Sequence, residues 1–289
     1  MTTTLATRTS SSTPSPNPTA YRLTLGNVVG SEWIKATSLR SIRWSILVSV
    51  ALGIGMSLIL GFAMRALDGG VSGAQFITTV TGFPGMFLSL VFAVLGVFVF
   101  SSEYASGMIL STLAAAPRRG AVVAAKALVL TAIAAVVATL IVSVSAVIAV
   151  LLVPEAGSAL GTKEVISSLI GTVFFLVAVA LLAFGVAGIV RSTAGAVTIV
   201  VGIVFVGPMI FQVLSQLTDW TWVQWANEYL PSALGSTLGY GIGSEIPSMS
   251  AETSGVHVPD YWEAMLALGV WVLIPMAAAV RLFFARDAK

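Results

Sequence analysis

The chain of 289 residues contains no cysteine, a single histidine and few charges: Asp, Glu, Lys and Arg make up 9% of it. Without cysteine there can be no disulfide, thiolate ligand or thiol nucleophile. The lone imidazole, His257, offers no cluster for zinc and reads as a solvated loop residue. An ordinary soluble domain carries about 25% charged residues, so the shortage removes the common globular classes. In their place is apolar side chain, with 57% hydrophobic residues and a mean hydropathy of +1.00.

Motifs for chemistry are also missing. A phosphate-binding loop needs G-x-x-x-x-G-K-[ST], so that backbone amides and a lysine hold the phosphates. The nearest string, GSALGTKE from Gly157 to Glu164, is one residue short between its glycines and has Thr before Lys. Paired acids or Ser/His arrangements are absent from the apolar stretches, as are the midplane acids and histidines of ion-coupled carriers. We therefore expect no catalytic residue, metal site or cofactor in this chain.

What is present is length without charge. Runs of about 20 apolar residues can cross a bilayer as helices, and six occur: Trp44 to Met64, Thr81 to Ser101, Ala121 to Val153, Ile166 to Val190, Ala194 to Leu214 and Glu263 to Phe284. Outer-membrane strands would be about ten residues long and would alternate apolar with polar; these runs are longer and apolar on every face. The fold class predicted is all-α and polytopic. The third run overshoots a hydrocarbon core of about 30 Å, and its Lys126 end is expected to protrude into water.

Charge sets the orientation, because loops rich in Lys and Arg stay on the cytoplasmic side during insertion. An internal N-terminus places all but Arg65 and Lys163 of the 14 Lys and Arg residues in the cytoplasm. Six spans then return the C-terminus to the same side. We expect a multi-pass protein of the cell membrane with both termini inside, and with the long 215–262 connection outside. Residues 1–20, rich in Ser, Thr and Pro, read as a disordered tail, and 21–289 as a single transmembrane domain.

Two segments on the cytoplasmic side carry more than topology. From Tyr21 to Arg43, Leu25, Val29, Trp33 and Ala36 fall near one helical face, with Glu32, Lys35, Arg40 and Arg43 elsewhere. That pattern fits a helix lying in the interface with Trp33 at headgroup depth, or a cytoplasmic extension of the first span. In Ser102 to Gly120, Glu103 follows the second span, Tyr104, Met108 and Leu113 form a stripe, and Pro117 stops the helix before Arg118 and Arg119. The result is a short helix with an apolar side and a basic exit, suited to docking. The two arginines also suffice simply to fix topology.

SEWIKATSLRSIRW at Ser31 to Trp44, with SEYASGMILSTLAAAPRRGAVVAAKAL at Ser102 to Leu128, resembles actinobacterial permease subunits of type-2 ATP-binding-cassette (ABC) exporters. The resemblance implies an elbow helix at 21–43 carrying Trp33, Lys35, Arg40 and Arg43. It implies a coupling helix within 102–120, with Glu103, Tyr104, Met108, Arg118 and Arg119 as ATPase-docking residues, and a second cytoplasmic contact at Arg191. Trp222 to Ser236 would form short re-entrant helices before the last span. The partners implied are two cytoplasmic ATPase subunits using Mg-ATP, a second permease copy or a related one, and the lipid bilayer, with no nucleic acid.

The cargo expected is a hydrophobic or amphipathic drug, peptide or lipid. Phe83, Phe87, Phe92 and Phe98 are candidate contacts for it, although aromatic residues in membrane helices also serve plain packing. Small residues in AFGVAGIVRSTAGAV, Ala183 to Val197, allow close helix approach, within the chain or at a dimer seam. Two other functions fit the same residues: a non-transporting sensor or assembly protein that binds a partner through 215–262, and an ion-coupled carrier.

Overall fold

The structure, a computed structural model, describes residues 24–67, 70–105, 119–218, 220–244 and 256–285. Among them the elements are helical: α1 (Leu25–Ser38), α2 (Arg40–Ala66), α3 (Gly73–Ala105), α4 (Arg119–Leu152), α5 (Lys163–Val190), α6 (Thr193–Val201), α7 (Gly207–Leu217), α8 (Thr221–Glu228), α9 (Pro231–Tyr240) and α10 (Tyr261–Ala285). A 3-10 turn at Pro154–Ala159 links α4 to α5. Six helices are long and apolar enough to span a membrane, α6 and α7 counting as one. The protein is an all-α polytopic membrane protein, as its apolar runs predict.

The spans alternate in direction and gather two ends. At the basic end, Thr193 donates to the Ser101 hydroxyl at 3.0 Å, and Arg191 reaches the Leu282 carbonyl of α10 at 3.4 Å. At the acidic end, the Tyr261 hydroxyl donates to the Ser167 carbonyl at 2.9 Å. α5 is the central post, 67% of its most apolar window being buried, and α3 is its main neighbour; the α6–α7 span is peripheral at 11%.

Close approach in this core depends on glycine. A Cβ at Gly96 of α3 would run into the Ala180 carbonyl of α5, and one at Gly188 would lie 2.7 Å from Ala279 of α10. The small residues of α5 thus serve packing within the chain.

Proline places two irregularities. Pro84 lies inside α3 and lacks the N–H that would have bonded the Val80 carbonyl four residues back. Ser57 of α2 donates to that carbonyl at 3.1 Å and sits 2.7 Å from the Ser145 hydroxyl of α4. With Ser57's one proton committed to Val80, Ser145 is the donor in that pair, so three spans are joined at the gap Pro84 leaves. In the fifth span, Pro208 leaves Val204 without its usual donor, and the ladder widens into a π turn over Gly202–Val206, where Gly207 N–H reaches the Gly202 carbonyl.

α3 begins earlier than the apolar run suggests. Its first turns carry Gln75 and Thr78, polar residues ahead of the run that starts at Thr81. Thr78 and Thr81 return their hydroxyls to the helix's own carbonyls, at 3.2 Å to Gln75 and 2.8 Å to Ile77, so these polar groups cost the helix little.

Beyond the fifth span, α8 and α9 form in the region expected to hold re-entrant helices, and α9 packs on α3 and α5. Ser168 donates to the Gly239 carbonyl at the end of α9, and the Ser167 hydroxyl accepts from Ile242 N–H at 2.7 Å.

Candidate functional site at the basic end

α1 is a capped, self-contained helix. Thr24 takes the N-cap and its hydroxyl accepts from Asn27 N–H at 3.4 Å. The helix ends at Leu39, whose ψ of 124° turns the chain into α2. The Arg43 guanidinium donates to the Ser38 carbonyl at 3.1 Å, supplying one of the donors that the end of a helix lacks. This single non-helical residue between two helices makes the elbow.

The inward face of α1 differs from the apolar stripe read from the sequence. Val28, Glu32 and Ala36 are the buried residues, Val29 is half-buried, and Trp33 is 44% exposed. Glu32, placed off the apolar face by its polarity, is only 4% exposed. The reason lies on α4: Lys126 Nζ is 2.6 Å from Glu32 Oε2, and Lys35 Nζ is 2.9 Å from Glu32 Oε1. Lys126 itself is 5% exposed, so the end of the third span expected to stand in water is covered by α1. Val28 packs beside the pair against Val122 and Ala125.

A carboxylate held between two ammonium groups in an apolar seam is directional where apolar contact is not. It fixes both the register and the rotation of α1 against the first two turns of α4. Those turns begin at Arg119, within the last residues of the 102–120 segment read from sequence as a docking element.

The other candidates are distributed as follows. Glu103 and Tyr104 lie in the last turn of α3, and Arg119 opens α4; their side chains are outside the described residues, as are Met108 and Arg118 entirely. Arg191 caps α5 in a left-handed conformation with φ of 56°, its N–H bonding the Ala187 carbonyl at 2.8 Å. Its guanidinium turns toward α10. Arg40 and Arg43 are exposed at the elbow, and Lys35 is occupied by Glu32.

The four phenylalanines do not converge. Phe92 is sealed in the core at 1% exposure, Phe98 is half-buried, and Phe83 is 49% exposed with its ring 5.9 Å from that of Phe87.

Sequence reasoning missed the Glu32–Lys126 pair. The available signal was Lys126 itself, a charge inside a long apolar helix that requires a counter-charge from somewhere. No protein-family model matches the chain, and no curated protein matches it in sequence.

Proposed function

We propose that this protein is the membrane-spanning permease subunit of an ABC exporter, moving a hydrophobic or amphipathic compound with ATP hydrolysed by a separate cytoplasmic subunit. The observation that carries the reading is the elbow: a short helix, turned at one residue into the first span and ion-paired to the start of α4. A subunit driven from outside the membrane needs such an element, because force delivered to the 102–120 segment must reach more than one span.

Among the described residues no group of three or more His, Cys, Asp or Glu gathers, and Lys126, a charge inside the third span, is paired with Glu32. Energy from a partner accounts for both facts. In this reading the basic exit Arg118–Arg119 contacts the ATPase, α4 carries the displacement inward, and Glu32 passes it to α1 and hence to α2.

The test is purification of the full chain from its native membrane, followed by assay of Mg-ATPase activity in the eluate. Activity should accompany the parent protein and be lost with Arg118→Glu/Arg119→Glu inserted at normal level. Failure of any ATPase to accompany the parent, or unchanged capture by the double variant, would refute the assignment.

A further inference from the structure

We propose that the cleft between α8 and the segment leading into α10 is a binding site for organic cations of the quaternary-ammonium class. This inference stands apart from transport and concerns the opposite end of the bundle from the elbow.

The cleft is shallow and open to the outside, has a volume of about 330 Å³, and is lined by Thr221, Trp222, Trp225, Val256 and His257. Its walls come from a helix that is inside out. α8 buries Val223, Gln224 and Glu228, and the Gln224 side-chain oxygen Oε1 finds no hydrogen-bond partner among the described residues. Trp222 and Trp225, three residues apart and so on one face, remain 58% and 53% exposed. An eight-residue helix that turns amide and carboxyl inward and indoles outward is shaped by what lies outside it.

Both indoles are braced by a neighbouring ring. Trp220 stacks on Trp222 with centroids 5.9 Å apart and planes at 22°, and Tyr229 stacks on Trp225 at 4.6 Å and 27°. Each ring is thus stacked on one neighbour, which covers one of its two faces. Walls already fixed in this way lose little side-chain freedom when something binds.

Charge at the rim has the complementary sign. His257 Nε2 is 2.7 Å from Glu263 Oε2, the same oxygen accepts from Asp260 N–H at 3.1 Å, and Asp260 Oδ1 accepts from Glu263 N–H at 2.8 Å. The last two bonds are a reciprocal cap at the start of α10, and they hold two carboxylates beside one imidazole. His257 is the ionisable residue of the lining, the two carboxylates behind it outnumber its one imidazole, and the face of an indole carries the negative end of its quadrupole.

A ligand matching these features is cationic, has an apolar shell and demands no hydrogen bond. A trimethylammonium group meets all three conditions, and aromatic faces recognise it through cation–π attraction. An anion is repelled by the rim, and a neutral group of equal size gains only contact area. Exposed tryptophans at a membrane edge also act as headgroup anchors, a role indifferent to the charge of a small ligand.

The experiment compares choline with its neutral isostere 3,3-dimethylbutanol on the full chain in maltoside micelles, by calorimetry or ligand-observed NMR. Choline should bind at least about tenfold more tightly than the isostere. Trp225→Leu and Glu263→Gln should each remove most of that preference, and Trp225→Phe, which retains an aromatic face, should keep it. Equal affinity of the parent protein for the two probes overturns the proposal without recourse to any variant. A preference for choline that survives Trp222→Leu/Trp225→Leu also overturns it.

Discussion

Replacing Lys126 by Met should release α1 from the bundle, and the size of the effect follows from the surroundings of Glu32. In the Glu32–Lys126 pair the two side chains are 5% and 6% exposed, so neither charge is solvated by water. Removing one member of such a pair costs about 3–5 kcal/mol, because the other is left as an uncompensated buried ion. Here the cost falls near the lower end: Glu32 keeps Lys35, 2.9 Å away, although that side chain is 33% exposed and its attraction is screened. About 3 kcal/mol corresponds to a roughly hundredfold rise in the population of opened α1. Glu32→Gln removes both ion pairs at once and should cost more. The double variant Glu32→Leu/Lys126→Met restores an apolar seam and should return close to the parent.

The absence of native cysteine makes the assay direct. Ala36, 5% exposed and one turn beyond Glu32 on the same inward face, becomes a reporter as Ala36→Cys. Maleimide reaches a buried thiol only through local opening, so its rate follows the open fraction. Labelling should be slow in the parent, roughly a hundredfold faster with Lys126→Met, and slow again in the double variant. A second reporter at exposed Thr37 should label equally in all backgrounds. Unchanged labelling of the Ala36→Cys reporter in the Lys126→Met background would refute the argument and assign the hold on α1 to the contact of Val28 with Val122 and Ala125. A double variant as open as the single one would refute the claim that the charge, rather than side-chain volume, is at issue.

Two further substitutions test the packing. Ser57→Ala strips the Val80 carbonyl of its donor and should cost about 1–3 kcal/mol; in a Pro84→Ala background, where a backbone N–H is restored, the penalty should largely vanish in thermal unfolding of the four proteins. Equal penalties in both backgrounds would show that Ser57 does not compensate for Pro84. Gly96→Ala should abolish recovery of monodisperse protein, since its Cβ meets the Ala180 carbonyl, whereas Gly55→Ala has nothing within 4 Å and should be neutral or stabilising by up to about 1 kcal/mol. Similar behaviour of the two glycine variants would remove close α3–α5 approach as a determinant of the fold.

These sites show what a sequence can and cannot convey. Apolar run length is a local property, so all six spans were legible, with ends shifted where Thr hydroxyls satisfy themselves on their own helix. The inside-out face of α8 was not, because a reader assigns tryptophan inward and Gln224 outward until the neighbouring helix is known. Gly96 was visible as a small residue, but its partner Ala180 was not, since nothing in either residue names the other. Among the docking residues read from sequence, Met108 and Arg118 lie outside the described residues, and of the phenylalanines only Phe83 and Phe87 are brought together, while Phe92 is sealed in the core.

Lys126 marks the boundary between the two kinds of information. Its charge within an apolar helix is visible in the sequence, where it reads as an end standing in water; its burial, and the compensating group 94 residues earlier, are set by the fold. Seven residues separate it from Arg119, about 10 Å of helix. Under the proposed function, a displacement of the 102–120 segment therefore reaches the Glu32 carboxylate through two rigid turns, and an apolar seam in its place would let α1 slide. The double variant separates these roles: it should preserve a closed α1 in the labelling assay and yet weaken the dependence of cargo movement on ATP. Full ATP-driven movement with Glu32→Leu/Lys126→Met would leave the pair as a stabilising contact alone.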